Sequence, residues 1–467
     1  MTLNFTAAGS SAAKSFSANG AEAVPLLERE LLDAGVRRMM ASYVDMHGVS
    51  KAKFVPTGHL EQMLKGSEMF TGAALEGVPQ SVHDDEVAAH PDAASCVVLP
   101  WDRGTAWFAS DLWLRDKPFE ACSRGILKRQ TRAAADMGYR FNLGMEAEFY
   151  VLEEADGGEI RPLSPRRLKK PCYDALSALD NLPWLGAMVD AMNGLGWDVY
   201  SFDQEDGLGQ FEIDFTYADA VTMADRYVFL RMMAGHYARA NGCFASFMPK
   251  PYADRTGSGA HLNMSLAAIG NGSNLFGSAS DPRGCGLSEL GYKFTAGVVR
   301  HLPAICAVVA PTVNSYKRLV KQGSMSGYTW APVFACYGNN NRTNAVRIPM
   351  GGGRIELRSA DSACNPYLAA AMVLAAGLEG IRENLDPGEP NRTNMYNASR
   401  VELETAGIRE LPRTLGEALD CFEEDPLSEE VMGKNMAASW LAEKRSEWLQ
   451  YMAHVSQWEF DRYLRFF

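Results

Sequence analysis

Three short segments place acidic side chains on strand-like sequence, and a fourth adds a histidine. GMEAEFYV carries Glu146 and Glu148 two residues apart, and on a strand that spacing puts both on one face. DQEDGLGQFEIDF adds Glu205 and Glu212 around a glycine-containing turn, Glu356 follows three glycines in GGGRIELRS, and His261 sits in TGSGAHLNMSL. Carboxylates held side by side repel unless a cation or a base lies between them. One such pair alone is ordinarily a solvated outer face, and a lone histidine a satisfied core or surface group. Together, five carboxylates and one imidazole form the donor set of two hard-cation sites of the Mg²⁺ or Mn²⁺ type.

A second signal is an absence. From Leu290 to Ile355 there is no Asp or Glu, where average usage predicts about eight. The same interval carries Lys293, Arg300, Lys317, Arg318, Lys321, Arg342, Arg347 and Arg354. A basic band in an acidic chain calls for an anionic partner. Beside a divalent-cation site, that partner is a nucleoside triphosphate and its transferring phosphoryl group. No GxxxxGK[ST] is present, and no GxGxxG lies between a strand and a helix, so neither a P-loop nor a dinucleotide-binding fold is supported. Gly257 and Gly259 serve either a turn or the close approach of a ligand.

These groups need a framework. The 467 residues allow two or three domains. With 47% apolar and 22% charged residues the chain is globular in composition. A net charge of −12 disfavours non-specific nucleic-acid or membrane binding. No apolar run is long enough to span a bilayer. Nine cysteines, none in a CxxC pair, suit reduced thiols in a cytoplasmic protein. Residues 1–24 read as a flexible tail without a secretory signal. Order is expected from about Leu26, as an amphipathic helix and a strand. VDMHGVSKAKFVP reads as a hairpin. A helix from about Arg124 to Gly138 leads into one strand, RFNLGMEAEFYVLEE. Further helices are expected over 220–241, over 365–383 and from about Leu415. Without a βαβ rhythm or a repeat, the class is α+β, a small first domain and a large second one.

The blocks GMEAEFYVL, GQFEIDF, FMPKPYADRTGSGAHLNMSL, PTVNSYKRLV, NNRTNAVRIP and GGGRIELRSADSACNPYLAAA, in this order, resemble the glutamine synthetases and their γ-glutamyl-amine ligase relatives over roughly residues 30–467. The resemblance implies a β-grasp domain over 25–117 and, over 118–467, a catalytic domain with a curved antiparallel sheet flanked by helices. It also implies sites shared between subunits of hexameric rings, the partners being copies of this chain in a dodecamer. ATP would phosphorylate the γ-carboxylate of glutamate, and an amine would then displace phosphate. By position, Glu146, His261 and Glu356 resemble the ligands of one metal, and Glu148, Glu205 and Glu212 those of a second. Arg342, Arg347 and Arg354 resemble phosphate-holding residues, with Asn263 and Ser265 beside the nucleotide. Arg318, Arg358 and Gly257 resemble the residues that hold glutamate.

The departures concern the amine. Ammonia-using members carry an Asp in FDGSS, where this chain reads FTGAA with Thr71 and Ala74, and a flap Glu in GYEAP, where it reads GYTWAP with Thr329 and Trp330. Tyr173 keeps the position of a family tyrosine near that site. Thr256 stands for an Asn and Gly351 for a Lys, which bear on the glutamate and phosphate contacts. Two lost anions and an added apolar wall imply a small alkylamine in place of ammonium: methylamine first, ethylamine as well. Ordinary glutamine synthetase is the alternative. An inactive member is opposed by the six intact metal-ligand positions, and a guanidine phosphotransferase by the first domain. Tyr396 lies near where some bacterial members are adenylylated, although a plain surface tyrosine is the simpler expectation. The base that takes the amine's proton is not identified from the sequence.

Overall fold

The computed structural model describes residues 23–163, 168–322, 324, 327 and 329–467. The expected tail lies outside these residues except at Ala23 and Val24, which open the first helix, α1 (Ala23–Asp33). That helix buries Leu27 and Leu31. Strands β1 (Arg38–Val44) and β2 (Ser50–Pro56) form the expected antiparallel hairpin. They join β3 (Glu68–Phe70), β4 (Val87–Pro91), β5 (Val97–Leu99), the long β6 (Asp102–Leu114) and β7 (Lys117–Pro118) in one sheet. Its central contact is the parallel pairing of β1 with β6. Helix α1 covers this sheet over a core of its own, including Met39, Ala41, Leu60, Val87 and Phe108.

Helix α2 (Ser123–Asp136) ends where Gly138 takes a φ of +87°, the left-handed conformation glycine adopts without cost. The following segment is two strands rather than one. β8 (Tyr139–Met145) and β9 (Ala147–Glu154) belong to different sheets and meet at Glu146. Sheet two contains β9, β10 (Ile160–Pro162), β11 (Val199–Gln204), β12 (Gln210–Phe215) and β14 (Phe244–Ser246). Sheet three contains β8, β13 (Ala218–Asp219), β15 (Leu262–Ala268), β17 (Tyr337–Asn339), β18 (Val346–Ile348) and β19 (Ile355–Leu357). The pairing of β15 with β8 continues past the break. Glu146 N donates to His261 O and Glu148 N to Gly259 O, both at 3.1 Å. One chain thus bends across two sheets without leaving its hydrogen-bonded neighbour.

Helices α3 (Ala175–Gly194), α4 (Ala220–Ala240), α5 (Glu289–Val309) and α6 (Pro366–Arg382) back these sheets and share one large core. Helices α5 and α6 cross so closely that a Cβ on Gly297 would lie 2.0 Å from Ala376 O, and one on Gly380 2.1 Å from Lys293 O. The C-terminal run is helical as expected: α7 (Leu415–Glu424), α8 (Pro426–Met432), α9 (Lys434–Ala453) and α10 (Gln457–Tyr463). Among the described residues no helix is long and apolar enough to cross a membrane.

Two polar knots tie these parts together. Arg124, 4% exposed, meets Asp111 of β6 at 2.9 Å, Asp92 just beyond β4 at 2.9 Å and Asp225 of α4 at 3.0 Å. Tyr367 OH donates to Asp225 at 2.6 Å. Removing the guanidinium would leave three crowded carboxylates. Arg124→Ala should therefore cost about 3–5 kcal/mol in a urea titration.

His301 of α5 lies between Asp425 at Nδ1 and Glu379 at Nε2, both at 2.8 Å. Carboxylates only accept, so both ring nitrogens carry protons. Burial alone would lower this histidine's pKa. The hydrogen bonds to Asp425 and Glu379, helped by their charges, outweigh burial and raise it above 6.5. The clamp's contribution is then whole below pH 6.5 and lost as pH rises through the raised value. The urea midpoint should fall between about pH 6 and pH 9, and His301→Gln should flatten that dependence.

Candidate active site

The acids converge because the strands that carry them are register partners. Asp203 of β11 opposes Glu212 of β12, and Glu212 opposes Glu148 of β9. Directly opposed like charges destabilise a sheet unless something neutralises them. Asp214 shares the face of Glu212 by alternation. Glu146 enters from the break between sheets two and three, and Glu356 from β19, where its strand neighbour is Asn263 of β15. Glu146 and Glu148 do approach one centre. They do so because the chain bends between two sheets, not because one strand presents both on one face.

His261 joins the two halves. Its Nδ1 lies 2.7 Å from Glu146 Oε2 and 3.7 Å from Glu356 Oε1, and its Nε2 lies 3.7 Å from Glu148 Oε1. Arg318 Nη2, which can only donate, lies 3.4 Å from Nε2. Nδ1 therefore keeps the proton and donates it to Glu146. Burial, with the nearby Arg358 charge, pulls this imidazole down to about 3, so it is neutral and a competent metal donor. Ligand atoms of Glu146, His261 and Glu356 lie within 4.8 Å of one another, as do those of Glu148, Glu212 and His261. Glu205 falls in neither group.

Burial and mutual repulsion raise the carboxyls that no cation holds. Glu205 is pushed up to about 8 by burial and the Glu148 charge. Asp214 rises to about 7 by burial and Glu146, Asp203 to about 6 by burial and Glu148, and Glu212 is raised by burial and Glu146. Asp203 Oδ2 is buried without a hydrogen-bond partner among the described residues. Unneutralised acids, an orphaned oxygen and a neutral imidazole are what a divalent-cation centre of oxygen and nitrogen donors requires, so these residues fit Mg²⁺ or Mn²⁺.

Only part of the acid-free interval is brought here. Lys293 pairs with Glu289 at 2.6 Å, and Arg300 with Glu379 and Glu383. Lys317 lies over Tyr451 and Lys321 over Phe334. The band is continuous in sequence and divided in space, because α5 carries Lys293 and Arg300 to carboxylates of α5 itself and of the end of α6. Arg347 and Arg358 both bind Glu356, which is fully buried. Arg318 donates to the carbonyls of Ser359 at 3.2 Å and Arg358 at 3.0 Å. Arg354 Nε donates to Asn263 Oδ1 at 3.0 Å, and Asn263 Nδ2 to Glu146 Oε1 at 2.8 Å. Ser265 lies two residues further along that face of β15. Arg342 is exposed, near enough to Arg347 for its charge to add to burial in lowering the Arg347 pKa.

Two glycines have steric reasons. A Cβ on Gly257 would lie 2.4 Å from Pro249 O, and one on Gly259 2.6 Å from His261 Nε2 and 3.1 Å from Glu148 Oε1. Gly259 N donates to Glu148 Oε2 at 2.7 Å, so at Gly259 the close approach is to the centre itself. Thr256 is internal, its hydroxyl donating to Gln210 Oε1 at 2.7 Å. Gly351 has a φ of +89°, a conformation unfavourable for the lysine found elsewhere.

The amine-side residues are divided as well. Thr71 is exposed on the first sheet's periphery, donating to Glu86 at 3.1 Å. Thr329 is buried, its hydroxyl 3.3 Å from Tyr396 OH. Tyr396 OH donates to Ala331 O at 2.8 Å, and burial raises its pKa, so the phenol is an internal brace and not a free surface group. Trp330 adopts a φ of +58°. Its carbonyl accepts from Arg358 at 3.2 Å, and its indole Nε1 donates to Asp206 Oδ2 at 3.3 Å. Asp206 is 8% exposed. An acid therefore does stand at this end of the site, supplied by the β11–β12 turn. Tyr173, at a φ of +64°, is anchored to that strand by donation from its N–H to Gln204 O at 2.8 Å. Asp203, Asp206 and Asp214 were not singled out from the sequence. Alternation of Asp203 with Glu205 and of Glu212 with Asp214 is the signal for two of them, and nothing local marks Asp206.

The chain matches the family model described as glutamine synthetase, catalytic domain, over residues 120–463. It is 42% identical to the glutamate–methylamine ligase of Methyloversatilis universalis, over 92% of this chain and 97% of that protein. It is 38% identical to a glutamine synthetase of Rhizobium leguminosarum bv. phaseoli, over 92% and 97%. A solved GmaS/ADP complex superposes with a TM-score of 0.87 at 37% identity, covering 94% of this chain and 99% of that one. A novel glutamine synthase homologue superposes with 0.75 at 30%, covering 91% and 97%.

If the acid centre takes a divalent cation, Mn²⁺ at about 100 times its Kd should add roughly 2.7 kcal/mol of stability. Thermal melts with and without Mn²⁺ measure this. Glu212→Ala or Glu356→Ala should weaken the Mn²⁺ response, and an undiminished response would remove that residue from the ligand set.

Proposed function

Given that the chain belongs to the glutamine synthetase family, we propose that it is an ATP-dependent carbon–nitrogen ligase joining the γ-carboxyl of L-glutamate to methylamine, and to ethylamine less selectively. The products are γ-glutamylmethylamide, ADP and phosphate. The observation that carries the choice of amine is the end wall of the site, where Trp330 and the buried Asp206 stand together. The 42% identity to a glutamate–methylamine ligase supports the same choice.

Residues 25–117 are proposed as the β-grasp domain and 118–467 as the catalytic domain. Arg318, Arg358 and the Gly257 backbone would hold glutamate. Arg342, Arg347 and Arg354, with Asn263 and Ser265, would hold the nucleotide and its phosphates through charge-assisted hydrogen bonds. Glu146, His261 and Glu356, and Glu148, Glu205 and Glu212, would hold two divalent ions. When bound, these ions neutralise phosphate charge and polarise the transferring group. The γ-carboxylate attacks the terminal phosphorus of ATP, ADP leaves, and γ-glutamyl phosphate results. The amine nitrogen then attacks the γ-carbonyl carbon and phosphate departs.

Alkylammonium reaches neutral solution protonated, so one proton must leave before attack. Asp206 offers the carboxylate beside Trp330, and the indole N–H bond holds that carboxylate toward the aromatic wall. The apolar face of Trp330 favours a methyl group that ammonium lacks, worth about 0.8 kcal/mol per buried carbon. Thr71, exposed on the first sheet, would face a neighbour's site in a ring of hexameric symmetry, and two stacked rings are proposed.

Ordinary glutamine synthetase is the second reading, supported by relatives of that name at 38% identity. Steady-state kinetics separate the two. Methylamine should show a kcat/KM about fourfold or more above ammonium, given the roughly 0.8 kcal/mol that burial of its methyl group against Trp330 supplies. Asp206→Asn should lower kcat for methylamine by about 10²-fold or more. A wild type that prefers ammonium would establish the second reading.

A further inference from the structure

Gln210 opens β12 two residues before Glu212, and by alternation it shares that residue's face. Its register partner on β9 is Tyr150, which sets Glu148 at the diagonal position, within reach of a long side chain. Gln210 is 1% exposed, and its whole amide is used. The carbonyl Oε1 accepts from Gly207 N at 3.0 Å and from the Thr256 hydroxyl at 2.7 Å. The amino group Nε2 donates to Glu148 Oε2 and to Gly257 O, both at 3.0 Å. A backbone N–H can only donate. Gly207 therefore fixes which end of the amide is the acceptor, and the donor end must face the carboxylate.

One side chain thus joins three segments of the site. Gly207 follows Glu205 and Asp206 in the β11–β12 turn, Glu148 belongs to the acid centre, and Gly257 belongs to the backbone assigned above to glutamate. The junction is tight: a Cβ on Gly207 would lie 2.6 Å from Gln210 Oε1 and 2.0 Å from Tyr150 OH. Tyr150 OH in turn donates to Thr256 O at 2.6 Å. At Glu148 the donors are unequally shared. Oε2 accepts from Gln210 and also from Gly259 N at 2.7 Å, whereas Oε1 is the oxygen 3.7 Å from His261 Nε2. Two donors on one oxygen fix the rotation of the carboxylate and turn the other oxygen toward the imidazole.

We propose that Gln210 is a positioning residue for the cation site and the glutamate site together. Through Nε2 it orients Glu148 with Oε1 toward His261, and it fixes the Gly257 carbonyl beside the glutamate position. This rests on the reading of Glu148 as a cation ligand and of the Gly257 backbone as part of the glutamate site. Thr256, where the family pattern has an Asn, then acts through Gln210 and not on the substrate.

Calorimetric titration of the full-length protein with Mn²⁺, without glutamate, amine or nucleotide, tests the first half, and steady-state kinetics test the second. Gln210→Met keeps the length of the side chain and removes all four bonds. It should weaken Mn²⁺ binding about tenfold or more, as loss of a group that orients a metal ligand does. It should also raise KM for glutamate about fivefold while leaving KM for ATP unchanged. A general loosening of the fold would move both KM values together. Because Gln210→Met orphans buried partners and can fail to fold, Thr256→Val and Thr256→Ser form a second pair. The valine removes one donor to Oε1 and should shift the Mn²⁺ affinity and the glutamate KM in the same directions, each about twofold or more. The serine keeps the hydroxyl and should restore both. Unchanged Mn²⁺ affinity or unchanged glutamate KM in folded Gln210→Met or in Thr256→Val, a KM for ATP that rises with that for glutamate, or a Thr256→Ser that behaves as the valine would each overturn the proposal. A wild type that binds no Mn²⁺ would overturn the cation centre along with it. A wild type that prefers ammonium would overturn only the choice of methylamine, since the Mn²⁺ titration contains no amine.

Discussion

The crowding of seven carboxylates against one imidazole is the constraint that the rest of this molecule answers to. Glu148, Asp203 and Glu212 are opposed across three neighbouring strands, and Asp214, Glu146, Glu205 and Glu356 close around them. Left alone, such a face would splay the strands or take up protons, and the raised pKa values of Glu205, Glu212, Asp203 and Asp214 record that pressure. The core beneath is correspondingly rigid. Phe149 and Phe211 each meet Trp184 edge to face, and Phe149 stacks on Phe247, where close packing resists displacement.

Countercharge is applied unevenly. Glu356 is fully buried and is met by both Arg347 and Arg358, whereas the row through Glu212 has no guanidinium bonded to it among the described residues. A divalent ion of the kind these donors fit would neutralise that second row. Arg358 also binds the carbonyl of Trp330. The same side chain therefore touches both Glu356 and the Trp330 segment. Changes at one end of the site reach the other through a single buried guanidinium.

Ser362 performs a related service on the far side. Its hydroxyl donates to the carbonyls of Glu148 at 2.6 Å and Gly259 at 2.8 Å, and its own carbonyl accepts from Arg231. The strand bearing the acids is thus held from behind by a residue that is itself tied to Arg231 of α4.

Much of the framework was legible in the residues alone. The hairpin at VDMHGVSKAKFVP, the helices over 220–241 and 365–383, and the stop at Gly138 follow from local periodicity and turn chemistry, which act over a few residues and so are written in a few residues. The donor types of the centre were legible too, because a hard cation restricts its ligands to a short menu. The break at Glu146 was not. Nothing local ends that strand; it ends because β8 and β9 find partners in different sheets, and partners hundreds of atoms away are a tertiary decision. The divided basic band has the same origin: α5 carries Lys293 and Arg300 out to Glu289, Glu379 and Glu383, which no count of charge along the chain anticipates. Asp206 is the clearest case. The sequence of the flap shows an acid missing, while the fold supplies one from the β11–β12 turn, more than a hundred residues away. Composition and spacing determined which chemistry this chain can attempt. Strand register and helix direction decided which of its charges face one another, because electrostatic energy depends on distance in space and a sequence records only distance along the chain.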